Sequence, residues 1–187
     1  MDKDTIRSKI RATKALLTHS EKLTAAERVW RLLEQTAPFM MAERVLIYHS
    51  LADELDTRGF LRKWHSRKHF FLPRVNGVNL DILPFDADTL AEGAYRIMEP
   101  AAGSPVSIDS IDLVIVPGVA YDRHGNRVGR GKGFYDRLLA DCRAAKVGIA
   151  YDFQLLDDDI DADPHDAPVD IIITERRYLR PSPPRRR

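Results

Sequence analysis

Short apolar runs rich in β-branched and aromatic residues alternate along this chain with stretches that repeat their apolar residues at helical spacing. The strand-like runs are 45–48, 69–72, 80–85, 111–116, 146–150 and 169–173. Helical patterns cover much of residues 1–38, about 56–65 and about 134–145. Strands and helices that alternate in this way usually form a parallel sheet covered by helices. We therefore expect an α/β protein, a three-layer α/β/α sandwich with a mostly parallel sheet.

The predicted amino-terminal helix carries two stripes of different character. One stripe is apolar and contains Ile6, Ile10 and Leu17. The other stripe is basic, because steps of four, four and three residues stay on one face of a helix. Its members are Lys3, Arg7, Arg11 and Lys14.

A second helix is predicted to begin at Thr24–Glu27, which matches a capping box. It is expected to bury Val29, Leu32 and Leu33 and to end near Pro38.

Two prolines bear on the strands that follow. Pro73 is expected to end the strand that starts at His69, since proline has no N–H to donate. Pro84 marks the run 80–85 as a candidate edge strand. The run 111–116 is nearly all apolar, which indicates a strand covered on both faces.

Composition excludes several classes of protein. The 187 residues suit one domain, and 44% apolar with 30% charged residues is typical of a folded chain. A net charge of +1 gives no global field toward nucleic acid or an anionic membrane. The only cysteine, Cys142, cannot form a disulfide within the chain, and we expect it to be a core residue. With no signal-peptide pattern at the start, we expect a cytoplasmic protein with one domain at 1–178 and a disordered Pro/Arg tail at 179–187.

The most informative segment runs from Val116 to Arg137, between a buried strand and a predicted helix. Glycines at 129, 131 and 133 would let backbone N–H groups approach an anion, and Arg127, Arg130 and Lys132 add positive charge. The spacing is neither the P-loop pattern nor G-x-G-x-x-G. The segment therefore indicates a phosphate-binding loop of another type, and the alternative is a flexible surface loop with solvated basic residues.

Residues 117–122 and 129–137 resemble the signature of the 5-formyltetrahydrofolate cyclo-ligase family, also called methenyltetrahydrofolate synthetases. The basic first helix, Asp53–Thr57 and Val169–Thr174 resemble further blocks of that family, in the same order, so that the resemblance covers about residues 3–178. Val128 and Tyr121 depart from the usual pattern, each conservatively in shape.

The resemblance implies closure of 5-formyltetrahydrofolate to 5,10-methenyltetrahydrofolate with ATP and magnesium, through a phosphorylated formyl oxygen. The implied partners are therefore a small-molecule folate and ATP, with no nucleic acid or membrane partner, and the protein is expected to be a monomer. Lys132 and Arg130 would neutralise charge on the transferring group as catalytic residues.

The resemblance also assigns binding residues by matching position. The ATP-binding positions are Lys3, Arg7, Arg127, Gly129, Arg130, Gly131, Lys132, Gly133, Phe134 and Tyr135. The folate-binding positions are His49, Glu54, Arg130, Gly131, Lys132, Gly133 and Phe134. The magnesium ligands are Asp136 and Asp170.

Each assignment has a purely structural alternative. Asp136 would favour the first turn of a helix without any metal, and Asp170 in a buried strand would need a partner. Lys3 and Arg7 would suit a solvated helix face, and Glu54 would suit a turn before the next helix. The aspartates between 157 and 166 lack EF-hand spacing and are interpreted as a solvated loop.

Two other functions remain open from the residues alone. A related phosphate-binding α/β enzyme, such as a sugar-phosphate isomerase-like protein, would keep the glycine loop without a use for paired carboxylates. A non-catalytic RNA-binding protein would use the basic helix and the arginine tail, although the near-zero net charge and the lack of an aromatic RNA-binding strand disfavour it.

Overall fold

A computed structural model describes residues 1–182 of the chain. The helices are α1 (Lys3–Ala15), α2 (His19–Glu34), α3 (Ala37–Met41), α4 (Arg58–Trp64) and α5 (Phe134–Leu139). The strands are β1 (Arg44–Leu46), β2 (His69–Asn76), β3 (Asn79–Pro84), β4 (Leu90–Glu92), β5 (Met98–Pro100), β6 (Leu113–Val116), β7 (Ala120–Tyr121), β8 (Arg127–Val128), β9 (Ala145–Ile149), β10 (Ile171–Ile173) and β11 (Tyr178–Leu179). Short 3₁₀ turns join several of these elements.

Seven strands form the central sheet in the order β11-β10-β9-β6-β1-β2-β3. The five inner strands pair in parallel, and the two edge strands β3 and β11 pair antiparallel. The expected α/β fold with a mostly parallel sheet is confirmed, and so is the edge position of the run that contains Pro84. β4 with β5, and β7 with β8, form separate two-stranded ribbons.

The apolar core has one large cluster on each face of the sheet. On one face α2, α3 and α4 contribute Leu33, Phe39 and Phe60, and the rings of Trp30 and Phe60 stack with centroids 4.4 Å apart. The other face is covered by α5, the β7 ribbon and neighbouring loops. α1 lies outside the sheet and packs Ile6 and Ile10 against the β7–β8 ribbon. This packing brings the basic amino-terminal helix to the glycine-rich segment.

The predicted start of the second helix is wrong by six residues. The capping box that forms is Thr18 with Glu21: the Thr18 hydroxyl accepts from Glu21 N at 3.2 Å, and the Glu21 carboxylate accepts from Thr18 N at 2.8 Å. Thr24–Glu27 also has the required spacing but lies inside α2, because the earlier box lets the helix begin sooner and bury Ala25 and Ala26. The helix ends at Glu34, before the expected end near Pro38.

Two further boundaries differ from expectation because pairing in the sheet decides them. β2 runs through Pro73, which lies opposite Ile82 of β3, while β1, the neighbour on the other side, has already ended at Leu46. α5 stops at Leu139 instead of Ala145, because Ala145 pairs with Leu113 in the sheet.

Residues 178–179 enter the sheet as β11. β11 crosses the domain boundary expected after residue 178, and pairs with β10. The disordered tail expected at 179–187 falls partly on residues 183–187, which lie outside the described residues. Within residues 1–182, no helix combines the length and the apolar character that a membrane crossing requires.

Candidate active site

A cavity of about 550 Å³ lies where β1 and β6 end side by side. From β1 the chain continues across the sheet to β2, whereas from β6 it continues the other way to β9. Open α/β sheets bind ligands at such a switch point, outside the carboxyl ends of the strands. His49 and Glu54 follow β1 and line the cavity, as do Pro117 and Gly118, which follow β6.

The glycine loop, residues 129–133, crosses this cavity and is braced from both sides. Gly131 and Gly133 have φ of 93° and 65°, a left-handed backbone that glycine adopts without strain. Arg7 Nε donates a hydrogen bond to Gly129 O at 2.9 Å, and Arg137 Nη2 donates one to Lys132 O at 2.9 Å. The shape of the loop is therefore set by contacts from α1 and α5.

One side of the cavity is an ionic wall, formed by Lys3, Arg7, Arg127, Asp136, Asp163 and Asp166. Lys3 Nζ lies 2.7 Å from a carboxylate oxygen of both Asp163 and Asp166. Arg127 has a side chain only 5% exposed and pairs with Asp136, whose carboxylate also accepts from Ala167 N at 3.3 Å. Cations and carboxylates thus neutralise each other on this wall.

Asp163 is 72% exposed, in agreement with the solvated loop expected for its segment, whereas Asp166 is only 19% exposed. Burial alone would lower the pKa of Lys3, but the hydrogen bonds to these two carboxylates outweigh it and raise that pKa. Burial would likewise raise the pKa of Asp166, and the contacts with Lys3 and Asp163 N reverse the direction. These two aspartates are candidate site residues that spacing in the sequence did not indicate.

Asp170 does not line the cavity, in contrast to the expected pairing with Asp136. Its side chain is 52% exposed, accepts a hydrogen bond from Lys146 N at 2.8 Å and pairs with Lys146 Nζ at 3.0 Å. The reason is its place in the chain: it precedes β10, at the amino end of the strand, whereas the cavity lies at the carboxyl ends. Lys146 is the partner that a carboxylate beside buried strands requires.

The ionic wall holds three carboxylates, of which Asp136 and Asp166 are 24% and 19% exposed and Asp163 is 72% exposed. Among residues 1–182 no group of three or more His, Cys, Asp or Glu side chains is arranged to hold a metal ion. Magnesium needs fewer protein ligands, because it keeps several waters and takes one or two carboxylates. Asp136 and Asp166 face the same cavity and fit that requirement.

A four-charge cluster of Lys14, Asp53, Glu54 and Arg130 lies beside the glycine loop. Arg130 Nη2 lies 2.8 Å from Asp53 Oδ1 and 3.0 Å from Glu54 Oε1. The other Glu54 oxygen accepts from Leu51 N at 3.0 Å. Both Glu54 oxygens are thus engaged, one by the loop arginine and one by the turn after β1.

Lys14 and His49 are the other titratable groups near this cluster. The Lys14 side chain is 7% exposed, and burial lowers its pKa despite the nearby Asp53. Burial and the charge of Arg58 lower the pKa of His49, which favours its neutral imidazole.

A second part of the cavity lining is an apolar wall, formed by Pro73, Val75, Leu80, Tyr95, Ile97 and Phe134. The Tyr95 and Phe134 rings have centroids 6.1 Å apart, and Lys132 Nζ lies 5.4 Å from the Tyr95 ring. Tyr95 and Arg96 both have φ of 58°, which is costly for residues with a side chain. The ribbon of β4 and β5 thus holds a strained turn against the loop, and Glu99 of β5 also lines this wall.

Tyr135 also lines the cavity and has a buried hydroxyl. The Tyr135 hydroxyl has no hydrogen-bond partner among the described residues, and the Arg127 guanidinium lies 5.9 Å from its ring. Burial, with the charge of Glu54 adding to it, raises the pKa of Tyr135 far above its ordinary value. The hydroxyl therefore stays protonated and available as a donor.

The structure brings nearly all of the sequence-predicted site residues to one cavity. Lining it are Lys3, Arg7, His49, Glu54, Arg127, Gly129, Arg130, Gly131, Lys132, Gly133, Phe134, Tyr135 and Asp136. Asp170 is the exception. Sequence analysis did not assign Lys14, Tyr95, Glu99, Asp163 or Asp166, although the spacing of Lys14 on the basic stripe of α1 was a usable signal.

Solved structures resemble the whole chain. The structure of Aquifex aeolicus 5,10-methenyltetrahydrofolate synthetase superposes with a TM-score of 0.88 at 33% identity, covering 100% of this chain and 96% of that one. A 5,10-methenyltetrahydrofolate synthetase from Mycoplasma pneumoniae shares the fold, with a TM-score of 0.77 at 24% identity and coverage of 94% and 99%.

Sequence relatives and a family model agree with this likeness. A 5-formyltetrahydrofolate cyclo-ligase of Haemophilus influenzae is 29% identical over 80% of this chain and 85% of its own length. One of Escherichia coli is 28% identical over 88% of this chain and 96% of its own. The model of the 5-formyltetrahydrofolate cyclo-ligase family matches residues 1–175. This match, over nearly all of the described residues and the whole cavity, shows that the chain belongs to the 5-formyltetrahydrofolate cyclo-ligase family.

Proposed function

We propose that this enzyme cyclises 5-formyltetrahydrofolate to 5,10-methenyltetrahydrofolate, consuming ATP with magnesium and releasing ADP and phosphate. The observation that carries the proposal is one cavity lined by the glycine loop, by an ionic wall and by an apolar wall. The charged side chains of the ionic wall suit a nucleoside triphosphate, and the side chains of the apolar wall suit the flat ring of a folate. Family membership supports the same reaction.

The reaction needs activation because the oxygen of a formamide is a poor leaving group. In the proposed route the γ-phosphoryl group of ATP is transferred to the formyl oxygen, and ADP leaves. N10 of the folate then attacks the activated carbon and gives up its proton, and the C–O bond breaks to release phosphate, which can take up that proton. The protein supplies mainly positioning and charge neutralisation for these steps.

The proposed nucleotide contacts come from α1 and the segment around the glycine loop. They are Lys3, Arg7, Arg127, Gly129, Arg130, Gly131, Lys132, Gly133, Phe134 and Tyr135. Lys132 and Arg130 would stabilise negative charge on the transferring phosphoryl group. On the folate side we propose His49 and Glu54 together with 130–134, with Glu54 acting chiefly by holding Arg130.

For magnesium we propose Asp136 and Asp166, in place of the pair Asp136 and Asp170. Both carboxylates line the ionic wall, whereas Asp170 is engaged by Lys146 away from it. When bound, the ion would neutralise phosphate charge. Entry of the nucleotide would offer Lys3 phosphate oxygens in exchange for Asp166, which would free that carboxylate.

The near-ultraviolet absorbance of the methenyl bridge tests the reaction directly. We expect absorbance to rise when the protein is mixed with 5-formyltetrahydrofolate, ATP and magnesium, and to stay flat when any of them is omitted. Release of ADP should match product one for one. A rise without ATP, or ADP release without the folate, would contradict the proposal.

We further propose that the protein acts as a monomer in the cytoplasm. We also propose that it has no nucleic acid or membrane partner, and its net charge of +1 supports this second point. An isomerase-like enzyme would leave ATP unconsumed, and an RNA-binding protein would show affinity that falls steeply with salt. Light scattering and an RNA titration at two salt concentrations test these points.

A further inference from the structure

Glu99 is a buried carboxylate on the apolar wall. It is 6% exposed and lines the cavity beside Val75, Leu80 and Ile97. It forms no salt bridge with any residue of 1–182: the nearby Arg74 pairs instead with Asp81, at 3.5 Å. Glutamate is rarely buried to this degree without an ion pair.

The position of this carboxylate is fixed by the backbone around it. Oε1 accepts a hydrogen bond from Val75 N of β2 at 3.1 Å. On the other side, a Cβ atom at Gly93 would lie 2.1 Å from Oε2, so a side chain at position 93 is incompatible with Glu99 in this place. The strand pairing of β4 with β5 therefore leaves room for the carboxylate against the cavity.

A structural role explains only part of this arrangement. A neutral glutamine would accept the bond from Val75 N at a lower cost of burial. Burial raises the pKa of Glu99, because the charged form loses solvation there. A ligand that donates hydrogen bonds to the carboxylate would offset this loss of solvation.

Glu54, the other glutamate of the cavity, is less suited to accept from a ligand. Arg130 occupies Oε1 and Leu51 N occupies Oε2. Glu99 has one oxygen held by Val75 N and forms no salt bridge among residues 1–182. The two carboxylates therefore have different roles.

We propose that Glu99 is a specificity-determining residue that binds the 2-amino-4-oxopyrimidine edge of the pterin ring. That edge presents two adjacent donors, the N3–H and the 2-amino group, which match a carboxylate in a charge-assisted pair. The ring would lie on the apolar wall between Tyr95 and Leu80. This assignment rests on the proposed function, because it takes a folate as the substrate.

Removing the 2-amino group from the ligand tests the contact without altering the protein. We would measure binding of 5-formyltetrahydrofolate and of its 2-desamino-2-methyl analogue in the absence of ATP. The unmodified protein should prefer the parent by on the order of 10- to 100-fold. Equal affinity for both ligands would overturn the assignment.

The substitution Glu99→Gln tests the same contact from the side of the protein, by replacing the carboxylate with a neutral amide. Its amide oxygen can still accept from Val75 N, while its NH₂ group would face the ligand's donors. We expect the parent to bind on the order of 10- to 100-fold more weakly and the analogue to bind with nearly unchanged affinity, so that the preference disappears. A preference that survives the substitution would overturn the proposal.

Two controls separate this inference from the proposed function and from loss of folding. Glu92→Gln changes an exposed carboxylate of the same ribbon that does not line the cavity, and should leave both affinities unchanged. ATP binding by Glu99→Gln should match that of the unmodified protein, since the ionic wall is untouched. If the unmodified protein binds neither folate, the proposed function itself fails.

Discussion

Lys132 differs from the other cations of the cavity in having no carboxylate partner. Lys3, Arg127 and Arg130 are each paired with aspartate or glutamate, whereas Lys132 forms no salt bridge within residues 1–182 and lies near the Tyr95 ring. Under the proposed function, this ammonium would be the cation free to meet charge that develops during phosphoryl transfer.

Lys132→Ala should lower kcat by on the order of 10² or more with the fold intact, if the ammonium stabilises transition-state charge. Steady-state kinetics with the absorbance assay would measure the change. Arg123→Ala is the matched control, because Arg123 pairs with Asp157 on the surface and does not line the cavity. Turnover by Lys132→Ala equal to that of the control would remove the catalytic role.

The three candidate carboxylates should respond differently to magnesium. We expect Asp136→Asn and Asp166→Asn to need more magnesium for half-maximal activity, and Asp170→Asn to behave like the unmodified enzyme, because Lys146 engages it outside the cavity. A magnesium titration with each variant is the measurement. Thermal unfolding would serve as the fold control, since Asp136 also neutralises the buried Arg127. An altered magnesium requirement only in Asp170→Asn would restore the sequence-based pair.

Sequence reasoning was most effective where a site is continuous in the chain. Arg127, Arg130 and Lys132 stand within six residues of one another, so their shared chemistry is visible in the sequence. Asp166 and Glu99 come from remote segments and reach the cavity only through tertiary packing. No local pattern distinguishes Asp166 from its neighbouring surface aspartates.

At the scale of elements, the Tyr121 ring links the loop after β6 to β9. Its hydroxyl donates to Val116 O at 2.7 Å. A Cβ at Gly118 would lie 2.6 Å from the ring, and one at Gly148 would lie 2.5 Å from it. The ring therefore fills the space that the absent side chains of Gly118 and Gly148 leave.

Gly148→Ala should destabilise the protein by about 1–3 kcal/mol, because the added methyl group must displace a fully buried ring. Chemical denaturation at equilibrium would measure the free energy of unfolding. Gly59→Ala is the control: its nearest neighbour would be 4.0 Å away, and an alanine in α4 should be neutral or stabilising by up to about 1 kcal/mol. Equal stability of the two variants would contradict the packing argument.

Strands were easier to predict than helix ends. The apolar runs at 111–116 and 169–173 contain β6 and β10, since strands buried on both faces are apolar throughout. The predicted start of α2 was wrong because the sequence contains two possible capping boxes, and the earlier one forms. The predicted end of α5 was wrong because Ala145 pairs in the sheet instead of extending the helix. Local helix propensity alone does not decide where such helices begin and end.

At the scale of the whole molecule, Asp152 ties the carboxyl-terminal segment to the sheet. Its carboxylate accepts from the Thr174 hydroxyl and from Arg177 Nε, both at 2.7 Å. Burial would raise the pKa of Asp152, but these hydrogen bonds outweigh it and lower the pKa. The segments after β9 and β10 are thereby joined at the carboxyl ends of the sheet.

Asp152→Asn should cost about 1 kcal/mol of stability at pH 7. A carboxylate with a depressed pKa in the folded state stabilises above its unfolded value, near 3.9, and that contribution is lost as the pH falls through the folded pKa. The difference between variant and unmodified protein should therefore shrink below about pH 4. Denaturation at several pH values would show it, and a constant difference down to pH 2 would contradict the assignment.

The cavity has both an ionic wall and an apolar wall, and this contrast has a consequence for inhibitor design. Under the proposed function, a single compound that links a phosphate-mimicking group to a pterin-like head would contact both walls. Binding of one head would present the other at an effective concentration on the order of millimolar, and the combined affinity would exceed that of either head by roughly 10²- to 10⁴-fold. A tether too short to reach from one wall to the other would forfeit the whole gain.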